Sequence, residues 1–289
     1  MIVGFLGFGE AGSNIATGLK EEGISDIYAF DVLYSKEEFR DKLEEKAELA
    51  GTVFLEEAKE VVIKAHIIFL AVPANFAMDS TTNIVDSLSK GKIFVDVTTA
   101  SPQEKKEISQ LVVEKGASYV DSAMLGALPK YKHKVPMLIS GNGCDQLIQD
   151  MKAFNMDLTK INEMPGAATS IKYIRSIVTK GLQALLVEAL QTAQHFSVED
   201  VVVDSIIESM DLPFEEIINR YVGSVIIHSN RRVHEMENVL YMLNQADLPS
   251  TMTEATMKKI HWLEQTNAKE NLGGNMPKDW KYTIEHWGL

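Results

Sequence analysis

The sequence predicts an α/β fold, with a doubly wound sheet over residues 1–162, parallel up to about residue 122, and an all-α domain over residues 163–289. In the first part, short apolar runs alternate with helical patterns, which is typical of parallel strands joined by crossover helices. The runs are apolar throughout, as expected for strands that are covered on both faces. From Ala167 onward the periodicity becomes helical and no strand pattern returns. We therefore expect two domains.

Each element follows from its local pattern. The predicted strands are Ile2–Leu6, Ile27–Phe30, Thr52–Phe54, Ile67–Val72, Ile93–Val97, Ser118–Val120, Val135–Ser140 and Asp157–Ile161. The helices between them are Ser13–Glu22, Glu37–Leu49, Glu56–Lys64, Phe76–Leu88, Pro102–Glu114 and Asp145–Phe154. A long helix from Ala167 to about Phe196 precedes the helices Val198–Ser209, Phe214–Asn230, Arg231–Ala246 and Ser250–Thr266.

The first strand leads directly into a glycine-rich turn. Gly7, Gly9 and Gly12 form a GxGxxG pattern between this strand and the following helix. The first glycine permits a tight turn, the second lets the backbone approach a pyrophosphate, and the third lets helix and strand pack closely. The exposed backbone amides at the start of the helix then face the phosphates, and we expect Glu10 and Ala11 of the turn to contact the cofactor. We therefore predict an N-terminal Rossmann domain that binds a dinucleotide.

The second strand ends at an acidic residue, Asp31, about 20 residues after the last glycine of the turn. A carboxylate there accepts hydrogen bonds from the ribose hydroxyls and repels a 2′-phosphate, which predicts NAD; NADP stays possible because neighbouring residues can reverse this preference. Ligands of such sheets bind outside the carboxyl ends of the strands. We therefore expect Val72, Pro73 and Thr98, which follow the fourth and fifth strands, to contact the cofactor.

Charge and composition restrict the partners and the compartment. The net charge is −13 and both predicted domains are acidic, which excludes a nucleic-acid backbone as partner. No stretch approaches the roughly 20 apolar residues that span a membrane, and we expect no signal peptide before the first strand. The single cysteine, Cys144, excludes an intramolecular disulfide and favours a cytoplasmic protein. The histidines and the cysteine lack metal-ligand spacing, so we predict no metal site.

Four segments, in this order, resemble the β-hydroxyacid dehydrogenase superfamily, which includes 3-hydroxyisobutyrate dehydrogenase and 6-phosphogluconate dehydrogenase. The first is the glycine-rich turn. Asp96–Pro102 is similar to the D-x-S-T-x-x-P loop at the nicotinamide, and Asp121–Gly126 stands in place of the D-A-P-V-S-G substrate loop. Gly166–Lys172 is similar to G-x-G-x-x-x-K, with Ala168 at the second glycine. The chain more closely resembles a branch of the superfamily with a variant C-terminal domain of the DUF1932 type, in the segments Met124–Pro129, His133–Gly141 and Thr179–Leu186.

The resemblance implies NAD(P)-dependent hydride transfer on a small hydroxy acid or related polar alcohol, with Lys172 as general acid/base. A lysine can exchange the hydroxyl proton if burial or a second cation lowers its pKa. Arg175 and Ser176 lie three and four residues further on, on the same helix face. Arg175 would bind a substrate carboxylate or phosphate, and Ser176 would hydrogen-bond the substrate. Ser122 and Gly126 would line the opposite wall.

Two departures from the family pattern alter the predicted acid-binding pocket. Ser176 stands where the family has an asparagine, and Leu125 stands where a serine precedes the glycine of the substrate loop. Two other functions therefore stay open. One is reduction of an imine or keto group in the same cleft, with Lys172 as acid. The other is a dinucleotide-binding sensor without turnover.

The long helix predicts self-association. It carries apolar residues around much of its circumference, including Val187 and Leu190, and such a helix must be covered on several sides. The helices that follow are few for this task, and members of the superfamily pair through this domain. We therefore expect a homodimer.

Overall fold

The computed structural model describes residues 1–289 and divides them into two compact units, Met1–Ser176 and Ile177–Leu289. The first unit is α/β and the second is helical. The predicted domain boundary after residue 162 stays a proposal. This boundary follows the last strand, Leu158–Asn162, whereas the first compact unit extends to Ser176 and so includes the beginning of the next helix.

The elements agree closely with the sequence pattern. The strands are β1 (Ile2–Leu6), β2 (Asp26–Phe30), β3 (Thr52–Phe54), β4 (Ile67–Leu70), β5 (Ile93–Asp96), β6 (Ser118–Met124), β7 (Met137–Ser140) and β8 (Leu158–Asn162). The helices of the first unit are α1 (Glu10–Glu21), α2 (Glu37–Ala50), α3 (Ala58–Lys64), α4 (Ala77–Ile84), α5 (Pro102–Glu114), α6 (Leu128–Tyr131) and α7 (Cys144–Met151). The remaining helices are α8 (Ala167–Phe196), α9 (Glu199–Met210), α10 (Phe214–Ile227), α11 (Ser229–Gln245), α12 (Thr251–Glu264), α13 (Ala268–Asn271) and α14 (Trp280–His286).

The strands form one sheet in the order β3-β2-β1-β4-β5-β6-β7-β8. Neighbouring strands are parallel except β6 and β7, which are antiparallel. The sequence predicted a parallel sheet for residues 1 to about 122, and β1 to β6 are parallel as predicted. The direction of β7 was not predicted. Parallel neighbours need a crossover of a dozen or more residues, usually a full helix. The segment from Met124 to Met137 contains only the short α6 and a 3₁₀ turn. The predicted α/β class is confirmed.

The central strands are buried on both faces, which explains their unbroken apolar sequence. In β4, Ile67 and Phe69 belong to one core, whereas Ile68 and Leu70 belong to the other. This alternation is the period of two that a pleated strand imposes. Burial on both faces therefore removes the polar positions that a half-exposed strand would show.

The second unit is helical throughout, as predicted. Its core contains Ile226, Ile227 and Leu263. The Glu188 carboxylate of α8 accepts hydrogen bonds from the backbone N–H groups of Met252 and Thr253, both at 2.8 Å, at the start of α12. Burial acts to raise the pKa of Glu188, but these bonds and the Thr253 hydroxyl outweigh it and leave the pKa lowered. No helix is both long and apolar enough to cross a bilayer.

Candidate active site

The glycine-rich turn lies at the carboxyl end of β1. Gly7 has a φ of +91°, and a Cβ there would lie 2.6 Å from the carbonyl oxygen of Ala71. A Cβ at Gly12 would lie 2.4 Å from the carbonyl oxygen of Gly7. Both positions therefore require glycine. A Cβ at exposed Gly9 would meet no atom within 4 Å, so open space lies over the turn where a pyrophosphate would approach. The turn fits a dinucleotide.

Asp31, at the end of β2, is tied to this turn. Its Oδ2 accepts a hydrogen bond from the Phe8 backbone N–H at 2.7 Å, and its Oδ1 accepts one from the Leu33 N–H at 2.9 Å. A carboxylate has about four lone-pair sites, so two remain for ribose hydroxyls. The position and the acceptor capacity of Asp31 fit the role that the sequence suggests.

The loops after β4 and β5 lie at the same edge of the sheet. Val72 lies beside the glycine-rich turn: a Cβ built at Gly7 would be only 3.0 Å from Val72 Cγ1. The next residue, Pro73, is exposed. Thr98 is buried. Its backbone N–H and its hydroxyl donate to Asp96 Oδ1 at 2.9 Å and 2.7 Å. Asp96 therefore holds the Thr98 loop in one conformation.

A charged cluster is buried behind this edge. Lys105 of α5 lies between two carboxylates: its Nζ is 3.1 Å from Asp96 Oδ1 and 3.0 Å from Asp121 Oδ1. All three side chains are 0% exposed. Tyr119 donates its hydroxyl to Asp96 Oδ2 at 3.0 Å, and burial raises the pKa of this phenol well above its usual value, so it stays a donor. We call the three charged residues the Asp96–Lys105–Asp121 bridge.

The first turn of α8 is anchored on this bridge. Asp121 accepts hydrogen bonds from the Thr169 backbone N–H at 3.0 Å and from the Thr169 hydroxyl at 2.6 Å. The Ala168 N–H donates to Ser140 Oγ at 3.1 Å. These bonds satisfy N–H groups that have no partner within a helix. The motif glycine, Gly166, has a φ of +86°, and a Cβ there would lie 2.5 Å from the carbonyl oxygen of Pro102. Ala168, at the second motif glycine, is accommodated in a buried position.

The predicted catalytic and substrate residues lie further along α8 and in or after β6, and their roles stay predictions. Lys172 is half-buried and Arg175 is exposed. The Ser176 hydroxyl donates to the Lys172 carbonyl oxygen at 3.0 Å, so with this bond in place Ser176 offers a substrate an acceptor. Ser122 is buried and contacts the sulfur of Met137 at 3.4 Å. Gly126 is exposed, and its place with Ser122 on the opposite wall of the site stays a prediction.

The sequence interpretation missed the bridge and one further tie. Tyr173 donates its hydroxyl to the Thr99 carbonyl oxygen at 2.6 Å, which joins α8 directly to the loop after β5. A signal for the bridge was present in the sequence. Lys105 shares the spacing of the buried residues Ile108 and Val112, so it occupies the apolar face of an amphipathic helix. A lysine on that face requires a buried acidic partner.

The fold and the glycine-rich turn define a protein of the dinucleotide-binding Rossmann class. Residues 2–154 match the NAD binding domain of 6-phosphogluconate dehydrogenase, and residues 193–263 match a domain of unknown function, DUF1932. The chain therefore belongs to the family of the 6-phosphogluconate dehydrogenase NAD-binding domain, and it is an oxidoreductase of the β-hydroxyacid dehydrogenase type. The resemblance that the four motifs indicated is confirmed.

Relatives and solved structures agree with this assignment. An uncharacterized 28.5 kDa protein of Methanothermus fervidus is 26% identical over 265 residues, which are 92% of this chain and 100% of that protein. The 2-(hydroxymethyl)glutarate dehydrogenase of Eubacterium barkeri is 23% identical over 200 residues, 65% of this chain and 62% of that enzyme.

Among solved structures, a conserved protein of unknown function described as similar to 3-hydroxyacid dehydrogenases is 25% identical. The two structures superpose with a TM-score of 0.63, and the match covers 95% of this chain and 100% of the other. An imine reductase variant from Myxococcus stipitatus in complex with NAD⁺ shares the fold, with a TM-score of 0.74 at 15% identity, over 99% of this chain and 98% of the other. The imine reductase of that organism was also solved with NADP⁺. The match of residues 2–154 to an NAD binding domain confirms the predicted nicotinamide cofactor.

Proposed function

We propose that the protein transfers a hydride between NAD and a small hydroxy acid or related polar alcohol, with Lys172 as general acid/base. The anchoring of α8 is the observation that supports this most. Asp121 holds Thr169, and Lys172 follows three residues later on the same helix face. Asp121 also directly precedes Ser122 in β6. The lysine is thereby fixed near the strand that leads into the predicted substrate loop. The relative that acts on 2-(hydroxymethyl)glutarate supports a hydroxy-acid substrate.

In this proposal, residues of the chain bind the dinucleotide and the substrate, and one of them, Lys172, transfers a proton. Bound NAD supplies the hydride acceptor. The carbon that bears the substrate hydroxyl gives up its hydride while the hydroxyl group loses its proton, and the neutral Lys172 amine takes that proton. In the reverse direction the Lys172 ammonium returns the proton to the oxygen. The residues that would hold the dinucleotide are Gly7, Gly9, Glu10, Ala11, Gly12, Asp31, Val72, Pro73 and Thr98.

Arg175 is the proposed anchor for the substrate carboxylate or phosphate. A planar guanidinium binds such anions through two parallel hydrogen bonds. The Arg175→Ala variant should therefore raise KM by at least about tenfold and lower kcat much less, since this contact is present in both ground and transition states. Steady-state kinetics on the substrate found below measure both constants. A fall in kcat with unchanged KM would instead assign Arg175 to the chemical step.

A substrate screen tests the proposed function. The protein is incubated with NAD⁺ and a panel of hydroxy acids that includes 3-hydroxyisobutyrate and 2-(hydroxymethyl)glutarate, and NADH formation is followed at 340 nm. The alternative, an imine or keto reductase with Lys172 as acid, predicts no oxidation of the alcohols in the panel. It predicts NADH consumption with a cyclic imine, or with a keto compound whose alcohol is not in the panel, because reduction of a keto acid is only the reverse of hydroxy-acid oxidation. The sensor alternative predicts NADH binding without turnover on any member of either panel. Oxidation of a hydroxy acid contradicts the sensor.

We also propose a homodimer, supported by the apolar surface of α8 and α9. The exposed apolar side chains there include Ile177, Val187, Val201 and Ile207. Monomers rarely expose contiguous apolar patches above a few hundred Å². Light scattering at micromolar concentration should give twice the chain mass, and the Val201→Asp variant should give a smaller mass because it places a charge in the interface. A monomeric wild-type protein would refute the proposal.

The composition supports a cytoplasmic location, whereas a small polar or anionic substrate as binding partner is proposed from Arg175. The protein's one thiol, Cys144, is fully buried, and burial raises its pKa to about 12. The chain therefore carries no thiol suited to a disulfide. Its net charge of −13 disfavours binding to a nucleic acid.

A further inference from the structure

Stability alone does not account for the Asp96–Lys105–Asp121 bridge. Three fully buried charges cost desolvation energy that pairing only partly returns, and well-packed apolar residues often replace such clusters without loss of stability. Buried ionic groups can instead fix one arrangement of the elements they join. The bridge joins the end of β5, helix α5 and strand β6, so the arrangement that it can fix is the relative position of these three elements.

The bridge connects the two parts of the proposed site. At one end, Asp96 binds the backbone N–H and the hydroxyl of Thr98 in the nicotinamide loop. At the other end, Asp121 binds the backbone N–H and the hydroxyl of Thr169 in the first turn of α8. Lys105 joins both carboxylates and also donates to the Asp96 carbonyl oxygen at 2.9 Å. Each carboxylate thus holds a functional segment in the same way, and the ammonium fixes the two carboxylates to each other.

We propose that Lys105, acting through Asp96 and Asp121, is a positioning residue for hydride transfer. It keeps the start of α8, and with it Lys172, in fixed register with the Thr98 loop. This inference rests on the proposed role of Lys172. Tyr173 ties α8 to Thr99 at the surface, so the bridge fixes the buried side of a helix start that is held on two sides.

Asp121→Asn is the variant that tests the proposal most cleanly. Removal of Lys105 would leave two buried carboxylates facing each other, and that variant risks not folding. Asp121→Asn instead leaves Lys105 and Asp96 as a neutral pair, and the amide oxygen can still accept one bond. We expect kcat on the screened substrate to fall at least tenfold, KM to change less than threefold, and the Kd for NADH to stay within twofold. Hydrogen exchange should become faster in the peptide that contains Thr169.

Val112→Ala provides the matched control. Val112 is fully buried on the same face of α5, two turns after Lys105, and it makes no contact of the bridge. Its truncation should lower Tm by an amount comparable to Asp121→Asn and leave kcat within twofold. If the two variants lower kcat equally for equal losses of Tm, the bridge has only a structural role and the proposal is overturned. Unchanged exchange at Thr169 in Asp121→Asn overturns it too, and this measurement needs no substrate.

A double-mutant cycle separates this proposal from the proposed function. If the bridge acts through Lys172, Asp121→Asn should lower the single-turnover rate in the wild-type background but not in the Lys172→Ala background. Independent, multiplicative effects would show that the bridge does not act through Lys172. If Lys172→Ala keeps its turnover, the proposed acid/base role fails, whatever Asp121→Asn does. If Lys172→Ala lowers the single-turnover rate strongly and Asp121→Asn does not lower it, the positioning role is overturned and the acid/base role of Lys172 is kept.

Discussion

Lys172→Ala is expected to lower kcat by about 10²–10⁴-fold, the usual contribution of a positioned acid/base group. The affinity for NADH should stay nearly unchanged, because the residues that would hold the dinucleotide lie in the loops after β1, β2, β4 and β5 and in the first turn of α1. The reason for the loss is that the hydroxyl proton has no acceptor when the amine is removed. Stopped-flow measurement of NADH formation gives kcat, and quenching of intrinsic fluorescence gives the Kd for NADH.

Two further variants make this result specific to the amine. Lys172→Arg should not restore turnover, since a guanidinium does not release its proton at working pH. Lys106→Ala removes an exposed lysine of α5, next to the buried Lys105, and should leave kcat unchanged. Near-normal kcat in Lys172→Ala would assign the proton transfer to another group, and the histidines of the later helices would then be the candidates.

The fold was predictable because local and tertiary patterns coincide in this chain. β4 is apolar at every position because each of its faces packs against a separate core. Its apolar sequence therefore predicts the same buried strand that the structure contains. The antiparallel β7 was not predictable in the same way. Its apolar sequence suits either direction, and the direction depends on how little helix the preceding connection contains.

The site was predictable where a backbone requirement leaves a residue signature. Gly7, Gly12 and Gly166 each stand where a Cβ would collide with a carbonyl oxygen, so their motifs report geometry. The bridge leaves no such signature, because Asp96 and Lys105 are distant in sequence from Asp121 and meet only when β5, α5 and β6 pack together. A lysine on a buried helix face indicates that acidic partners exist, but only the sheet order identifies them.

Asp31 should make the protein prefer NADH to NADPH by at least about tenfold, which corresponds to about 1.4 kcal/mol. Its carboxylate lies at the end of β2 and is held in place by the N–H groups of Phe8 and Leu33. A 2′-phosphate placed on the ribose beside it would meet a fixed negative charge. Fluorescence titration with both reduced cofactors measures the ratio of the two dissociation constants.

Asp31→Asn separates the charge of this residue from its structural bonds. The amide oxygen still accepts a bond from one of the two N–H groups, so the turn should persist while the repulsion is lost, and the NADH preference should fall to within about threefold of parity. Asp26→Asn removes the same charge from the exposed opposite end of β2 and should leave the preference unchanged. If wild-type protein binds NADPH at least tenfold more tightly than NADH, Asp31 does not select the cofactor. The exposed Arg40, whose guanidinium lies 5.7 Å from the centre of the Tyr34 ring just beyond β2, would then be the first cation to replace.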